Sequence, residues 1–324
     1  MRAAFGFGFG LPLGDSGDAP AIDWNFAGGV LPSALTFSRA SLATMYDAAG
    51  TLVTASSGSP RLTYDPVTHA ALGLLVEEQR TNLLLNSLLD GTNLSTQSVT
   101  VAATQYTLSF YGTGQIVLSG SATATVVGTG AFPTQKTYTF TPSAGSLTLT
   151  VTGTVQFAQL EAGAFATSYI PTGAASATRA ADVVTCTGAA FSSWVNGTEG
   201  TLLDEFACAA MSNSPSGASL NGYGWNDNST QALWWDGVAN TATPSTVAVG
   251  QARRQVVAWD AAGYSISANG STPTTVTGRQ PWPSARSALQ LGGIGSIQYI
   301  NGPIKRVRYW RKRLTNAQLQ ALTA

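Results

Sequence analysis

The sequence of 324 residues is short of charge, and its few charges cancel. Charged residues make up 10% of the chain, against roughly 25% in ordinary globular domains. Lysine and arginine number 16, as do aspartate and glutamate, so no electrostatic attraction to nucleic acid or to an anionic membrane is expected. A chain without net charge also resists association poorly, which favours an oligomer.

Cysteine and histidine are also scarce, and this excludes several kinds of site. Cys186 and Cys208 cannot build a disulfide framework; reduced core thiols are the simpler interpretation, and a single pair on neighbouring strands stays open. His69 is the only histidine, so histidine-based metal sites and most histidine-dependent triads lack their side chains. We therefore expect no cofactor and no metal.

The N-terminus alternates phenylalanine and glycine. This period of two puts Phe5, Phe7 and Phe9 on one side of an extended strand. The apolar run is too short and too rich in glycine for a signal peptide or a membrane helix, so we expect cytoplasmic synthesis and no membrane insertion. Residues 1–20 are predicted to anchor the chain by adding a strand to a partner's sheet, with a disordered tail as the alternative.

Apolar and polar residues alternate along most of the chain and predict an all-β protein. Segments such as 106–110 and 147–151 have period two, and turn residues recur roughly every 8–12 positions, which is typical of a β-sandwich or jelly roll. The pattern repeats with longer loops towards the C-terminus. There, Thr315 and Gln318 form a capping box that predicts a final helix.

Two segments carry a more specific signal. Residues 73–84 read GLLVEEQRTNLL, and residues 159–182 open with QLEAGAFATSYIP and close with TRAAD. With LTFSRAS at 35–41, the Pro60–Arg61 pair and the Asp65–Pro66 pair, residues 73–84 resemble a module that recurs in tailed-bacteriophage fibre, spike and head-appendage proteins. A jelly roll similar to carbohydrate-binding modules follows that module in those proteins. Here the jelly roll would end at residues 159–171, and residues 178–182 would open the next unit. The C-terminal part contains GTLL at 200–203, the adjacent Trp234 and Trp235, and the terminal segment 304–322, and it resembles a concanavalin A-like or laminin-G-like lectin or glucanase sandwich.

The resemblance implies an organisation in tandem β-sandwiches behind an extended segment. Residues 1–20 would anchor the chain to the virion, 21–90 form the fibre-type module, 91–172 the jelly roll, and 173–324 the concanavalin A-like domain. It also implies a virion structural protein, a tail fibre, tail spike or head-fibre or decoration subunit, assembled in the host cytoplasm. Its expected partners are capsid, portal, adaptor or baseplate proteins and further copies of itself, with a trimer favoured.

The module contains an unusual concentration of charge for so uncharged a chain. Sparse charges in apolar surroundings favour buried ion pairs that fix geometry, rather than a functional site. The residues expected to pair in this way are Arg39, Arg61, Arg80, Asp47, Asp65, Glu77 and Glu78, with Arg179 and Asp182 as a further pair.

No catalytic arrangement is recognisable, so we expect no enzyme. Asp204 and Glu205 are adjacent and would point to opposite faces of a strand, which is unsuitable for a glycosidase pair. A Gly-x-Ser-x-Gly nucleophile motif is missing, and Asn226–Asn228 resembles a calcium loop without its final acidic ligand. A polysaccharide depolymerase and a purely architectural virion protein remain the alternative functions.

Aromatic and amide side chains in the C-terminal part predict a sugar-binding site. Aromatic faces stack on pyranose rings, and amides and carboxylates bond the hydroxyls, so host polysaccharide or lipopolysaccharide is the expected ligand. The alternative is that these tryptophans belong to the core or to subunit contacts. The predicted binding residues are Tyr223, Trp225, Asn226, Asp227, Trp234, Trp235 and Trp282.

A basic strand precedes the final helix. Strict alternation predicts Lys305 and Tyr309 on one face, with Arg306, Arg308 and Trp310 on the other. The simpler interpretation is a solvated or subunit-facing strand, and binding of an anionic polysaccharide is the alternative.

Overall fold

The computed structural model describes residues 19–208, 218–220, 223–225, 231–246, 250–281, 286–294 and 298–324. Within these residues, nearly all regular structure is β-strand. The predicted all-β sandwich class is therefore confirmed.

The strands and helices are given in chain order. The strands up to residue 172 are β1 (Ile22–Asn25), β2 (Thr36–Ser38), β3 (Ala43–Tyr46), β4 (Leu52–Ala55), β5 (Leu62–Tyr64), β6 (Ala71–Val76), β7 (Arg80–Asn82), β8 (Gln97–Val101), β9 (Tyr106–Gly112), β10 (Gln115–Gly120), β11 (Ala124–Val127), β12 (Gly130–Phe140), β13 (Gly145–Thr152) and β14 (Gln156–Ala162). The later strands are β15 (Ala177–Arg179), β16 (Val183–Thr187), β17 (Gly200–Ala207), β18 (Ala218–Leu220), β19 (Tyr223–Trp225), β20 (Gln231–Trp235), β21 (Asn240–Thr246), β22 (Ala252–Asp260), β23 (Gly263–Ala268), β24 (Thr274–Thr277), β25 (Ala288–Leu291), β26 (Gly293–Ile294), β27 (Gln298–Tyr299) and β28 (Gly302–Trp310). The helices are a 3₁₀ turn (Phe26–Gly28), α1 (Gly188–Ser192) and α2 (Asn316–Thr323).

Two large sheets enclose one apolar core and form the larger sandwich. One sheet has the order β24-β23-β22-β17-β28-β6-β5, with β1 also beside β28, and the other has the order β2-β16-β25-β18-β19-β20-β21. Trp259 and Tyr309 from the first sheet belong to the same core cluster as Trp234 and Leu289 from the second. The alternating apolar residues thus point inward from both sheets.

A second pair of sheets forms the smaller sandwich. Its sheets have the orders β11-β10-β13-β8 and β12-β9-β14 and enclose a separate apolar core. On β13, Leu147 and Leu149 are fully buried, whereas Thr150 is exposed, as period two requires. Strands β8 to β14 all lie within the segment predicted as a jelly roll.

The larger sandwich contains strands that precede the smaller sandwich in the sequence and strands that follow it. Ile22 of β1 lies opposite Tyr309 of β28, and Leu74 of β6 lies opposite Ile304. Strand β2 likewise pairs with β16. The sheets thus cross the domain boundaries predicted at residues 90 and 172, because a period of two identifies strands but not their partners.

A glycine of the 73–84 segment allows one of these pairings. Gly73 has φ +112°, and a Cβ atom at this position would collide with the carbonyl oxygen of Ile304. Glycine tolerates this backbone conformation, which other residues rarely adopt. Gly73 therefore has a structural role, the close approach of β6 to β28.

The predicted final helix is confirmed. Thr315 accepts a hydrogen bond from the amide of Gln318, and the Gln318 side chain bonds back to the amide of Thr315, which completes the capping box. Leu319 of α2 is buried with Leu203 and Trp310 in a small cluster separate from the main core. The helix therefore covers the outer face of the larger sandwich.

Candidate functional site

Two residues of the predicted sugar site lie in the core of the larger sandwich. Trp225 and Trp234 are 1% and 0% exposed, face each other on β19 and β20, and meet edge to face with ring centroids 5.5 Å apart. The Nε1 of Trp234 donates to the carbonyl of Pro281 at 3.0 Å. Stacking on a sugar requires an accessible ring face, so the prediction for these two residues is wrong: they are packing residues.

The other predicted residues divide between half-buried and undescribed positions. Trp235 is half-buried, on the opposite face of β20 from Trp234, as their adjacency requires. Tyr223 begins β19. The predicted residues outside the described parts of the chain are Asn226, Asp227 and Trp282 of the sugar site and Phe5, Phe7 and Phe9 of the anchoring segment. Their roles stay predictions.

Asp236, next to Trp235, stabilises a turn. It is buried and accepts hydrogen bonds from the amides of Val238 and Ala239 at 2.8 Å and from the hydroxyl of Tyr264 at 3.0 Å. Burial raises the pKa of this carboxyl, but these hydrogen bonds and Arg279, 3.2 Å away, outweigh it and lower the pKa. The described part of the tryptophan-rich region is thus built for packing.

The segments that resemble the phage module meet in one buried cluster, called the junction network: Arg39, Arg61, Glu77, Arg179 and Asp182. Arg39 Nη1 lies 3.0 Å from Asp182 Oδ1, although the two residues are 143 positions apart. Arg61 contacts Glu77 Oε2 at 2.7 Å and also pairs with Asp182. These side chains are at most 4% exposed. The predicted buried pairing is confirmed.

Hydrogen bonds tie the network to both sandwiches. Ser168, which follows β14 of the smaller sandwich, donates its amide and hydroxyl to the carboxylate of Glu77 at 2.7 and 2.6 Å. Glu77 follows β6 of the larger sandwich and donates its own amide to Asp182 at 2.9 Å. The hydroxyls of Tyr46 and Tyr111 meet nearby at 2.8 Å. The network therefore joins the two sandwiches.

The charges of the network are not balanced within it. Three arginines face two carboxylates, and Arg179 Nη1 lies 3.4 Å from Glu77 and 4.0 Å from Asp182. The guanidinium nitrogens of Arg179 have no hydrogen-bond partner among the described residues, so its attraction to these carboxylates is Coulombic. Burial alone would raise the pKa of Glu77, but Arg179, Arg61 and the bonds from Ser168 lower it to about 2.

Glu161 is a further buried carboxylate at this junction, and its pKa shifts in the direction opposite to that of Glu77. Its oxygens accept from Gln159 Nε2 at 2.6 Å and from the amide and hydroxyl of Thr167, each at 2.7 Å. No arginine of the described residues lies within ion-pair distance, and the more distant charges of Arg80 and Arg179 do not offset burial. Burial therefore raises the pKa of Glu161.

Two of the carboxylates expected in buried pairs have another role. Asp47 accepts two backbone amides of its turn, both at 2.9 Å, and Asp65 accepts two at 2.9 and 2.7 Å. The prediction that they pair with arginines is therefore wrong. Aspartate at the start of a turn bonds the following amides, and this local contact prevails. Arg80 and Glu78 do pair, as predicted.

The basic strand β28 departs from strict alternation. Lys305 is exposed, whereas Tyr309 is buried in the core, so the prediction that they share a face is wrong. The pairing of β28 with β17 shifts register between Ile304 and Arg306, which leaves Lys305 as an extra residue in a bulge. Because a bulge adds one residue to the strand, the side chains beyond it point to the opposite face of the sheet from the one that strict alternation predicts.

Neighbouring carboxylates pair with the arginines of this strand. Arg306 Nε donates to Asp23 at 2.7 Å, and Arg308 Nη2 lies 3.4 Å from Glu205. Arg313, after the strand, lies 2.8 Å from Asp260. These partly exposed pairs support the simpler interpretation, a solvated strand, and they give Arg306 and Arg308 carboxylate partners within the chain.

The remaining groups relevant to a site are few. Cys186 and Cys208 are both buried thiols in the core of the larger sandwich. In the described ranges, no cluster of three or more histidine, cysteine, aspartate or glutamate residues is arranged to hold a metal ion. No described helix combines the length and the apolar character that a membrane span needs.

Comparison with known proteins gives remote likenesses only. No protein-family model and no curated protein matches the chain. Among solved structures, Trypanosoma rangeli sialidase in complex with sialic acid is similar over 44% of this chain and 26% of its own, with 16% identity and a TM-score of 0.33. The CBM40 of Ruminococcus gnavus IT-sialidase bound to alpha2,3 sialyllactose is similar over 39% of this chain and 83% of its own, with 16% identity and a TM-score of 0.34. The chain thus spans about a quarter of the sialidase, and at these scores neither likeness carries a functional argument.

Proposed function

We propose that this protein is a structural subunit of a tailed-bacteriophage particle, a fibre, spike or head-appendage subunit. It docks on the particle through its N-terminal segment, assembles with further copies of itself, with a trimer favoured, and presents its β-sandwiches to glycans of the host surface. The observation that carries the proposal is the convergence of the phage-like segments in the junction network.

The convergence gives a physical reason for five charged residues of those segments. Arg39, Arg61 and Glu77 come from the first part of the chain, and Arg179 and Asp182 from the second, yet they form one contiguous cluster. A buried charge is costly unless its partners are in place, so these residues form a set in which each requires the others. This supports the view that the resemblance reflects one shared module rather than unrelated short matches.

The construction of the molecule is suited to an appendage. A network of buried ion pairs at the boundary between two sandwiches favours one mutual orientation, because the pairs form only in one geometry. The zero net charge favours association with other subunits. The first described strand, β1, lies beside β28 of the larger sandwich, and just before it the amide of Ala21 donates to the carbonyl oxygen of Tyr309 at 2.7 Å.

Particle incorporation of a truncated protein tests the proposal. Deletion of residues 2–18 leaves Ala21 and β1 in place, so we expect a folded protein with unchanged thermal unfolding. In cells that produce the particle, the truncated protein should be absent from purified particles and present in the lysate, as measured by quantitative immunoblotting.

A matched pair of triple variants separates anchoring by the phenylalanines from the length of the segment. Replacement of Phe5, Phe7 and Phe9 by serine should abolish incorporation, whereas serine at the intervening glycines 6, 8 and 10 should preserve most of it. Normal incorporation of the deleted protein would contradict the anchoring role, and absence of the wild-type protein from the particles would contradict the whole proposal.

A further inference from the structure

A small pocket lies where the junction meets the protein surface. Its volume is about 200 Å³, and its lining residues are Gln79, Arg80, Thr81, Leu83, Tyr106 and Ala162. The first four come from β7 and the residues beside it, whereas the last two come from β9 and β14 of the smaller sandwich. Because the wall has two origins, the pocket exists only when the smaller sandwich packs against the module segment.

Arg80 forms a rigid part of the wall. Its side chain is 10% exposed and pairs with Glu78, and the ring of Phe165 lies 4.7 Å from its guanidinium carbon. A Cβ atom at Gly163 would collide with the guanidinium, so glycine at that position makes room for Arg80. Its Nε is buried and has no hydrogen-bond partner among the described residues. Arg80 is thus a packed part of the pocket wall, fixed by Glu78 and Phe165.

The other polar groups at the pocket can both donate and accept. Gln79 is exposed, and no described group bonds its side-chain amide. The hydroxyl of Tyr106 accepts from the amide of Ala102 at 3.2 Å, and no described group accepts its own proton. Leu83 and the ring of Tyr106 supply apolar surface. Donors, acceptors and an apolar face together match a pyranose ring, whose hydroxyls do both and whose C–H face is apolar.

Charge balance favours a neutral sugar over an acidic one. Glu78 already neutralises Arg80, so the carboxylate of an acidic sugar would compete with a bonded partner. Glu161, buried behind the same wall, is close enough to attract Arg80 electrostatically, and it contributes a further negative charge near the pocket when it is ionised. The charged groups around the pocket therefore offer an anion little net attraction.

We infer that this pocket binds one neutral pyranose residue of a glycan. Its volume is below the roughly 300–1,000 Å³ typical of sites for larger ligands, so a single terminal or side-chain sugar is the appropriate size. The inference rests on the proposed glycan-binding role and assigns it to the junction of the sandwiches rather than to the tryptophans of the larger one.

Blocking the pocket tests the inference. Ala162 is exposed, lines the pocket and pairs with Tyr106, so Ala162→Trp fills the space without disturbing either core. Thr129→Trp is the matched control: Thr129 is also exposed but adjoins Gly130, which pairs with Gly112 at the far end of β9. The probes are glucose, galactose, mannose and N-acetylglucosamine, with glucuronic acid as the acidic comparison, measured by isothermal titration calorimetry and saturation-transfer NMR.

We expect at least one neutral sugar to bind the wild type and the Thr129→Trp variant equally. Its affinity should fall at least tenfold in Ala162→Trp and roughly fivefold in Gln79→Ala, which removes one hydrogen-bonding amide. No binding by any neutral sugar, or binding only of glucuronic acid, overturns the inference. If the wild type and Ala162→Trp bind host polysaccharide equally, the inference about the pocket is overturned, but the proposed function stays intact. Failure of particle incorporation would contradict the proposed function and would leave the pocket untouched.

Discussion

The core of the larger sandwich and the junction network are equally buried but are built from opposite kinds of side chain. Trp234 and Trp259 are fully buried in the core, and Arg61 and Arg179 are fully buried at the junction. Apolar packing is non-directional and tolerates small changes of shape. A buried ion pair instead leaves an uncompensated charge when either partner is lost. The core therefore supplies most of the stability, and the junction determines how the two sandwiches meet.

The largest effect is expected from Arg61→Met. It leaves the carboxylates of Glu77 and Asp182 buried with a missing partner, so unfolding free energy should fall by about 3–5 kcal/mol. Urea denaturation followed by tryptophan fluorescence measures the change.

The matched control is Arg306→Met, which breaks an ion pair with Asp23 whose side chains are 34% and 35% exposed. Solvent screens this pair, so the loss should be at most about 1 kcal/mol. Equal losses in the two variants would contradict the distinction between the junction and the surface.

Acidification should change the contributions of Glu77 and Glu161 to stability in opposite directions, because the pKa of Glu77 is lowered and that of Glu161 is raised. The pKa of Glu77 is about 2 in the folded protein and 4.5 by reference, so its stabilisation is complete above pH 4.5 and disappears as the pH falls towards 2. The Glu77→Gln variant, although less stable at neutral pH, should therefore lose less stability than the wild type across this interval. Urea midpoints measured at intervals from pH 6 to pH 2.5 provide the comparison.

Glu161→Gln is the control for that experiment. Because the folded pKa of Glu161 is raised, ionised Glu161 disfavours folding as the pH rises above 4.5. Its removal should make the variant lose more stability than the wild type on acidification. Parallel pH profiles for the wild type and both variants would refute the assignment of these two shifts.

A conservative change in the core should have the smallest effect. Ile266 is fully buried in the larger sandwich, and Ile266→Val removes one methylene group at a cost of about 1 kcal/mol. Arg61→Lys, equally conservative by charge, should cost more, because an ammonium group cannot reproduce the contacts of a guanidinium with two carboxylates. Thermal unfolding of the two variants side by side tests this order, and a greater loss in Ile266→Val would reverse the comparison.

Local features of the fold were predictable from the sequence. Period two located the strands of the smaller sandwich, and Thr315 with Gln318 identified the start of α2. The concentration of charge in an uncharged chain predicted buried pairs, which Arg39 and Arg61 form. In each case the signal lies within a few residues or in the composition itself.

Features that depend on distant partners were not predictable. The pairing of Ile22 with Tyr309 joins the two ends of the described chain, and no local pattern encodes it. Tryptophan is a residue type that often stacks on sugars, but Trp234 is buried because the opposite sheet of the larger sandwich packs against it. Alternation alone predicts that Lys305 and Tyr309 share a face of β28, but the bulge at Lys305 places them on different faces. The pocket at Arg80 was missed for the same reason, since its walls come from two sandwiches.

The location of the protein in the particle tests the central claim most directly. Particles produced by the genome that encodes the chain can be purified, labelled with gold-conjugated antibody against residues 91–172 and imaged by electron microscopy. We predict label at regular positions on the particle surface, at a fibre, a spike or the head. Particles without label, alongside abundant protein in the lysate, would contradict the claim.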